Sequence, residues 1–181
     1  MTSKLVILDR DGVINFDSDE YIKSVDEWRP IPGSIEAIAR LSKAGFSVMI
    51  VSNQSGLARG LFTKVDLANI HNYMQSLVEE AGGQIDAIFY CPHLPDDNCL
   101  CRKPRPGMLQ QIEREFDLSL HDVFFIGDTL KDIEAALSMS CQPILVRSGK
   151  GAQTEANLSD NFKKQVSIYD DLSSAVTHIL D

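Results

Sequence analysis

The sequence predicts a three-layer α/β fold, with a mainly parallel, Rossmann-like sheet that carries helices on both faces. Short apolar runs alternate with amphipathic stretches along almost the whole chain, which is typical of repeated βαβ units. The chain has 181 residues, 44% of them apolar, and can therefore bury one sizeable core. We expect a single domain over residues 1–181, because no linker, repeat or low-complexity tract divides it.

Strands are predicted wherever a short apolar run lies between polar or glycine-containing segments. In chain order these runs are 5–9, 47–52, 85–90, 123–126, 144–146 and a short one near 166–168. Most of them lack a polar face, which indicates strands that are buried on both sides of a parallel sheet. Three polar stretches are predicted to be irregular. They are the stretch from the end of the first strand to Pro32, the loop 91–104 and the stretch 148–164.

Helices are predicted where apolar residues recur every three or four positions. In chain order they are 34–43, a helix from Thr63 to Gly82, one that opens at Pro106, 130–139, and one that starts at Asp170. Gly45 suits the position after a helix end, and Thr63 with Asp66 resembles a capping box. Thr129 is predicted to cap the helix that Asp132 enters.

Composition excludes several classes of partner. The chain carries 17 basic and 26 acidic residues, a net charge of −9, and no stripe rich in Lys or Arg, so we expect no nucleic-acid partner. A strand begins within five residues of the N-terminus, and no apolar run approaches the roughly 20 residues that span a membrane. We therefore expect a cytoplasmic monomer whose cysteines bind metal or pack, with Cys141 in the packing role.

Two aspartates, Asp9 and Asp11, directly follow the first predicted strand. Residues i and i+2 of an extended segment point the same way, so both carboxylates can face one site at the carboxyl edge of the sheet. Alone, the pair is also compatible with an ordinary acidic turn. Asp128 and Asp132 follow a later strand, and carboxylates from two strand ends make an oxygen-rich site suited to Mg²⁺.

Four segments at predicted strand ends resemble the motifs of the haloacid dehalogenase superfamily, in the same order and over nearly the whole chain. They are Asp9/Asp11, Ser52, Lys103 and Asp128. The resemblance implies that Asp9 is the phosphoryl-accepting nucleophile, that Asp11 is the acid/base, and that Ser52 and Lys103 contact the phosphoryl group. It also implies that Mg²⁺ is held by Asp9, the Asp11 backbone carbonyl and Asp128. The chain has no insertion long enough for a large cap domain, which predicts an open site.

A second metal site is predicted in the loop after the third strand. Cys91, His93, Cys99 and Cys101 provide three thiols and an imidazole within eleven positions, enough for a closed tetrahedral zinc site. Reduced, unliganded cysteines are the alternative. Bound zinc would be structural and would hold Arg102 and Lys103 at the edge of the active site.

Within the superfamily, the segments at 9–15, 52–60 and 101–108 together with this loop resemble the heptose bisphosphate phosphatases. The resemblance implies a phosphorylated-sugar substrate, contacted by residues from three segments: Asp17, Glu20 and Tyr21; Asn53, Gln54, Ser55 and Arg59; and Arg102. Arg59 is also compatible with an exposed loop. Lys150, in the segment 148–151 after the fifth strand, is compatible with a phosphate contact or with an exposed turn. Histidinol-phosphate phosphatase and a catalytically silent binding module are the alternative functions.

Overall fold

The computed structural model describes residues 4–181 and contains one six-stranded parallel sheet. Its strands are β1 (Leu5–Leu8), β2 (Ser47–Asn53), β3 (Ala87–Cys91), β4 (Phe124–Gly127), β5 (Gln142–Val146) and β6 (Ser167–Tyr169). They lie in the order β3-β2-β1-β4-β5-β6, so β1 is central between β2 and β4. This arrangement confirms the predicted parallel α/β fold, and all six apolar runs form strands.

Seven α-helices cover the sheet over the described residues. They are α1 (Ser34–Lys43), α2 (Lys64–Glu80), α3 (Gly107–Phe116), α4 (Leu130–Ser138), α5 (Gly151–Asn157), α6 (Asp160–Lys163) and α7 (Leu172–Leu180). Alternate residues of β1 face opposite cores: Val6 and Leu8 pack with α1, α2 and α7, whereas Leu5 and Ile7 pack with α3 and α4. The sheet therefore buries both faces, which explains its continuous apolar strands.

The predicted caps agree with the structure. Thr63 and Asp66 form a reciprocal capping box at the start of α2, and Gly45 adopts a left-handed φ of 84° after α1. Thr129 is the N-cap of α4, and its N–H and hydroxyl donate to Asp132 Oδ2 at 3.1 and 2.8 Å. These contacts orient Asp132, which lies at the end of the sheet where the site forms.

Several boundaries differ from the prediction. The polar stretch 148–164, predicted to be irregular, contains α5 and α6; its few buried side chains include Leu158, which packs with Ile133 and Leu145. Strand β3 begins two residues later than predicted and includes Cys91. Pro106 is the N-cap of α3 rather than its first residue, and α7 begins at Leu172 with Asp171 as its N-cap.

The connections near the carboxyl ends of the strands are short. They run over residues 9–33, 54–63 and 92–106, and no cap domain is present within residues 4–181. No helix in this part of the chain has the length and apolar character needed to cross a bilayer.

Candidate active site

The candidate site lies at the carboxyl ends of the three adjacent central strands. Asp9 follows β1, Asn53 ends β2 and Asp128 follows β4, while Lys103 enters from the loop after β3. Ligands of open α/β sheets collect at this edge, where the strand order changes direction. These side chains line a cavity of about 170 Å³; the other lining residues are Asp11, Asp17, Tyr21, Ile22, Gln54, Arg102, Thr129, Lys131 and Lys150.

Lys103 is the buried cation at the centre of this site. Its side chain is only 4% exposed, and its Nζ lies 3.0 Å from Asp9 Oδ1 and 2.7 Å from Asp132 Oδ1 and donates to the Val51 carbonyl at 3.0 Å. Asn53 fixes the Lys103 backbone through two hydrogen bonds, one donated to its carbonyl and one accepted from its N–H. Burial alone would lower the pKa of Lys103, but the Asp132 and Asp9 carboxylates raise it, so the ammonium is permanent.

Three carboxylates share one small volume beside Lys103. Asp9, Asp128 and Asp132 each present an oxygen within 4.8 Å of the others. Burial and mutual repulsion raise the pKa of Asp9 well above its ordinary value, and burial followed by repulsion from Asp132 raises the pKa of Asp128 to about 7. One ammonium does not balance three carboxylates, so the site has the charge and the oxygen donors to bind a divalent cation.

Two loops press their backbones against Asp128. Gly12 and Gly149 have φ angles of 83° and 59°, and a Cβ on either residue would overlap the Asp128 carboxylate. The Lys150 N–H, next to Gly149, donates to Asp128 Oδ2 at 2.8 Å. Glycine is therefore required at both positions for conformation and for space.

Asp11 is surrounded by hydrogen-bond donors. Its carboxylate accepts from Asn15 Nδ2 and Gln54 Nε2, both at 2.9 Å, and from Arg10. Burial would raise the pKa of Asp11, but Arg10 and these amides together lower it, so the resting side chain is a carboxylate. The same Gln54 Nε2 donates to Ser52 Oγ at 2.8 Å, which links the buried Ser52 to Asp11 although Ser52 does not line the cavity.

Three cationic side chains, Arg102, Lys131 and Lys150, line the same cavity, and we call them the cationic rim. Partial burial and repulsion from Arg102 and Lys150 lower the pKa of Lys131. Lys150 Nζ lies 3.3 Å from both Asp17 and Asp19. An anion bound at the rim would relieve the repulsion that Lys131 experiences.

The predicted zinc ligands lie together beside the cavity. Cys91 Sγ lies 3.1 Å from Cys101 Sγ and 3.6 Å from Cys99 Sγ, and His93 Nδ1 lies 3.3 Å from Cys101 Sγ. The edges of a tetrahedron with Zn–S bonds of about 2.3 Å and a Zn–N bond of about 2.0 Å are roughly 3.5–3.8 Å long. The Cys91–Cys99 distance lies in this range and the other two are shorter by less than about 1 Å, so small side-chain shifts would let these four donors hold zinc. Arg102 Nη1 donates to the His93 carbonyl at 3.4 Å, which connects this cluster to the cationic rim.

Comparison with known proteins identifies the family. The HAD-hydrolase-like family model matches residues 100–175. A D-glycero-beta-D-manno-heptose-1,7-bisphosphate 7-phosphatase from Pseudomonas aeruginosa is 51% identical over 180 residues, 99% of each chain. This chain belongs to the heptose bisphosphate phosphatase family of the haloacid dehalogenase superfamily. It is thus a phosphoric monoester hydrolase, as the resemblance of its motifs implied.

Two solved structures of heptose bisphosphate phosphatases are similar to this fold. A D,D-heptose 1,7-bisphosphate phosphatase from B. bronchiseptica, complexed with magnesium and phosphate, has a TM-score of 0.93 and 47% identity, covering 98% of each chain. The enzyme from Burkholderia thailandensis has a TM-score of 0.76 and 37% identity, covering 99% of each chain. The fold without a large cap domain is therefore shared over the full length of these heptose bisphosphate phosphatases.

The structure brings some of the expected substrate contacts together and leaves others apart. Asp17, Tyr21, Asn53, Gln54 and Arg102 line the cavity. The remaining predicted contacts do not line it: Glu20 and Arg59 are exposed, and Ser55 is buried. Contact of these three residues with substrate stays a prediction, which a structure with a bound sugar bisphosphate would test.

Sequence reasoning missed several groups that complete the site. Lys131 lines the cavity from a helix position that carries no motif. Asp132 and Lys150 were candidates from the sequence, but the contact of Asp132 with Lys103 and the hydrogen bond from the Lys150 N–H to Asp128 were not predicted. Lys131 lies three residues after Asp128, near the start of α4, and this closeness in sequence to a strand-end carboxylate was the one available signal.

The raised pKa of Asp128 predicts a pH-dependent stability in protein free of Mg²⁺. The folded state favours the protonated carboxyl, with a pKa of about 7 against an ordinary 3.8. The free energy of unfolding should therefore fall as the pH rises from about 4 to about 7, by on the order of 3 kcal/mol relative to Asp128→Asn. Urea unfolding of both proteins at pH 5 and pH 8 measures this, and equal pH dependence in the two would refute it.

Proposed function

We propose that this chain removes the 7-phosphate of D-glycero-β-D-manno-heptose 1,7-bisphosphate, giving heptose 1-phosphate for ADP-heptose biosynthesis. The observation that carries the proposal is the pairing of a buried Asp9–Lys103 centre with the cationic rim in one cavity. Such a cavity can hold a reacting phosphoryl group at its base and a second phosphate at its rim. The names of relatives at 51% and 49% identity support the β anomer.

The reaction follows from the positions of Asp9 and Asp11. An Asp9 carboxylate oxygen attacks phosphorus, and the bond from phosphorus to the sugar O7 breaks. The negative charge of the bound phosphate raises the pKa of the neighbouring Asp11, which takes up a proton from solvent when substrate binds and gives that proton to O7. Water then attacks the aspartyl phosphate, Asp11 takes the proton from the water, and phosphate leaves with Asp9 restored. Lys103 stabilises the negative charge shared by the phosphoryl oxygens and Asp9.

The residues at the site suit Mg²⁺, which we propose is held by Asp9, the Asp11 backbone carbonyl and Asp128. Asp132 is already bound by Lys103 and Thr129, so it serves to orient the lysine. A bound Mg²⁺ would reduce the repulsion between the nucleophilic carboxylate and a phosphate dianion. The magnesium and phosphate in the B. bronchiseptica enzyme at 47% identity support this assignment.

The cationic rim is the feature that favours a bisphosphate over histidinol phosphate. Arg102, Lys131 and Lys150 offer positive charge to the second phosphate, whereas a cationic amino alcohol would be repelled there. Asp17 and Tyr21 lie on the same cavity wall and can contact the sugar. The open site, without a cap domain, accommodates an extended substrate.

The proposed function is tested by comparing kcat/KM for α- and β-heptose 1,7-bisphosphate and for histidinol phosphate with Mg²⁺ present. We expect a preference of about a hundredfold or more for the β-bisphosphate, equivalent to roughly 2.7 kcal/mol in transition-state binding. A preference for histidinol phosphate would overturn the substrate assignment and leave the phosphatase mechanism intact.

Replacing Lys131 tests the role of the cationic rim. Lys131→Met should lower kcat/KM for the bisphosphate about tenfold and leave kcat/KM for p-nitrophenyl phosphate nearly unchanged.

We also propose that Cys91, His93, Cys99 and Cys101 hold a structural zinc ion. All four positions of a tetrahedron would be filled by protein, so no open position remains for catalysis. The loop between the ligands and α3 carries Arg102 and Lys103, so zinc fixes both cations in place. Thiolate ligands must stay reduced, which supports our proposal that the enzyme acts in the reducing cytoplasm.

Removing one zinc ligand should release the metal and weaken catalysis. We expect Cys101→Ser to lower bound zinc from about one ion per chain to near zero, to lower the thermal midpoint, and to reduce kcat/KM by about tenfold to a hundredfold. Metal analysis and unfolding curves measure the first two effects. Cys141→Ala, which alters a buried cysteine outside the cluster, is the matched control and should keep its zinc. Full zinc content in Cys101→Ser would contradict the assignment.

A further inference from the structure

Arg10, between the two motif aspartates, has no exposed surface and carries no role in the reaction described above. Its Nη2 lies 2.9 Å from Asp11 Oδ1 and 3.1 Å from Oδ2, and its Nε lies 3.1 Å from Oδ1. The guanidinium therefore holds both oxygens of the Asp11 carboxylate. A planar group with several fixed donors sets the direction of a carboxylate as well as its charge.

The remaining end of this guanidinium contacts α2. Arg10 Nη1 lies 3.3 Å from His71 Nε2, and the His71 side chain is buried against Tyr90. A guanidinium can only donate, so His71 Nε2 accepts this hydrogen bond and the imidazole is neutral. Burial and the neighbouring Arg10 agree with this state, since they lower the pKa of His71 to about 4.

We propose that His71 is a positioning residue for the acid/base Asp11 and acts through Arg10. The chain of contacts runs from α2 through His71 and Arg10 to both oxygens of Asp11, so the helix fixes the carboxylate that must reach the leaving oxygen. Asn15 donates to Asp11 Oδ1 and Gln54 donates to Oδ2, so each amide holds one oxygen, whereas the Arg10 guanidinium holds both. The inference rests on the proposed acid role of Asp11.

Loss of the His71 acceptor would leave a buried Arg10 N–H group without a partner. The guanidinium would then shift toward another acceptor and take the Asp11 carboxylate with it. Proton delivery is sensitive to this shift, because a displacement of about 1 Å can reduce a rate by 10²-fold. Asp9 is contacted by the Arg10 backbone N–H at 2.7 Å but by neither His71 nor the Arg10 guanidinium, so nucleophilic attack should be affected far less.

Leaving groups of different basicity separate these two effects. A sugar alkoxide needs a proton from Asp11 to depart, whereas p-nitrophenolate departs without one. The value of kcat/KM reports the steps through departure of the leaving group, and kcat also includes hydrolysis of the aspartyl phosphate, in which Asp11 acts as the base.

The experiment compares wild type, His71→Leu and His71→Gln with heptose bisphosphate and with p-nitrophenyl phosphate. For His71→Leu we expect kcat/KM to fall tenfold or more with the sugar and less than threefold with the aryl ester. His71→Gln, which restores a neutral acceptor near Nε2, should recover the sugar activity to within threefold. Met74→Leu, a buried residue on the next turn of α2, controls for repacking of the helix.

Equal losses on both substrates, no loss on either, or a glutamine variant as slow as the leucine variant would overturn the positioning role. If leucine prevents folding, His71→Met removes the acceptor with a more adaptable side chain and provides the same comparison. If the wild type rejects heptose bisphosphate, the proposed substrate fails. Any alkyl phosphate ester that it hydrolyses then replaces the sugar in the test of His71.

Discussion

Replacing Asp9 with asparagine is expected to reduce Mg²⁺-dependent phosphate release by at least about 10³-fold. The amide cannot form the aspartyl phosphate, so the residual rate would come only from direct attack by water. The fold should persist, because the asparagine Oδ1 can still accept from Lys103 Nζ, which lies 3.0 Å from Asp9 in the wild type. Phosphate release under single-turnover conditions measures the loss.

Two controls make the Asp9→Asn result decisive. Mass spectrometry of the intact variant excludes deamidation of the new asparagine back to aspartate, which would restore activity. Asp86→Asn, a change at the start of β3 away from the cavity, tests whether a carboxylate lost elsewhere has any effect. Activity above about 1% of wild type in a clean Asp9→Asn preparation would disprove the assigned nucleophile.

Replacing Lys103 with methionine is the second large effect, and it should reduce both activity and stability. The ammonium contacts Asp9 and Asp132, and its removal leaves both carboxylates without their buried cation. Removing one partner of a buried ion pair typically costs about 3–5 kcal/mol of unfolding free energy. We expect kcat/KM to fall about 10²–10³-fold as well, because charge on the phosphoryl group loses its stabilisation.

A second substitution separates these two consequences. Asp132→Asn added to Lys103→Met removes one of the two unpaired carboxylates, so it should restore part of the stability while activity stays low. Urea unfolding and kcat/KM measured on the single and double variants form the test. Recovery of activity together with stability would mean that Lys103 is needed only for folding.

Much of the fold was predictable because each strand carries a strong local signal. Val6 and Leu8 face one core and Leu5 and Ile7 the other, so β1 has no polar face and reads as a continuous apolar run. In α5 and α6 the signal is weak, because few of their residues are buried and the nearby Leu158 joins only a small third core. Tertiary contacts, rather than periodicity, decide structure in such a segment.

The site was predictable where a motif follows a strand, and less so where it depends on contacts between residues far apart in the sequence. Asp9, Asn53 and Asp128 line one cavity because β1, β2 and β4 are adjacent in the sheet. The contact between Arg10 and His71 spans 61 positions, and no local pattern marks His71 as anything but part of a helix. Ser55 and Arg59 show the opposite limit, since both lie in a segment that resembles the family but neither lines the cavity.

The tight enclosure of Asp128 by Gly12 and Gly149 has a consequence for attempts to evolve new substrates. In a library that samples every residue, substitutions at these two glycines should be lost under selection for phosphatase activity on any substrate, because a Cβ there would overlap the Asp128 carboxylate. Positions 102, 131 and 150 line the cavity without enclosing that carboxylate, so variants there can survive and differ in substrate preference. New substrate specificities should therefore arise from substitutions at the cationic rim, while the residues that transfer the phosphoryl group stay unchanged.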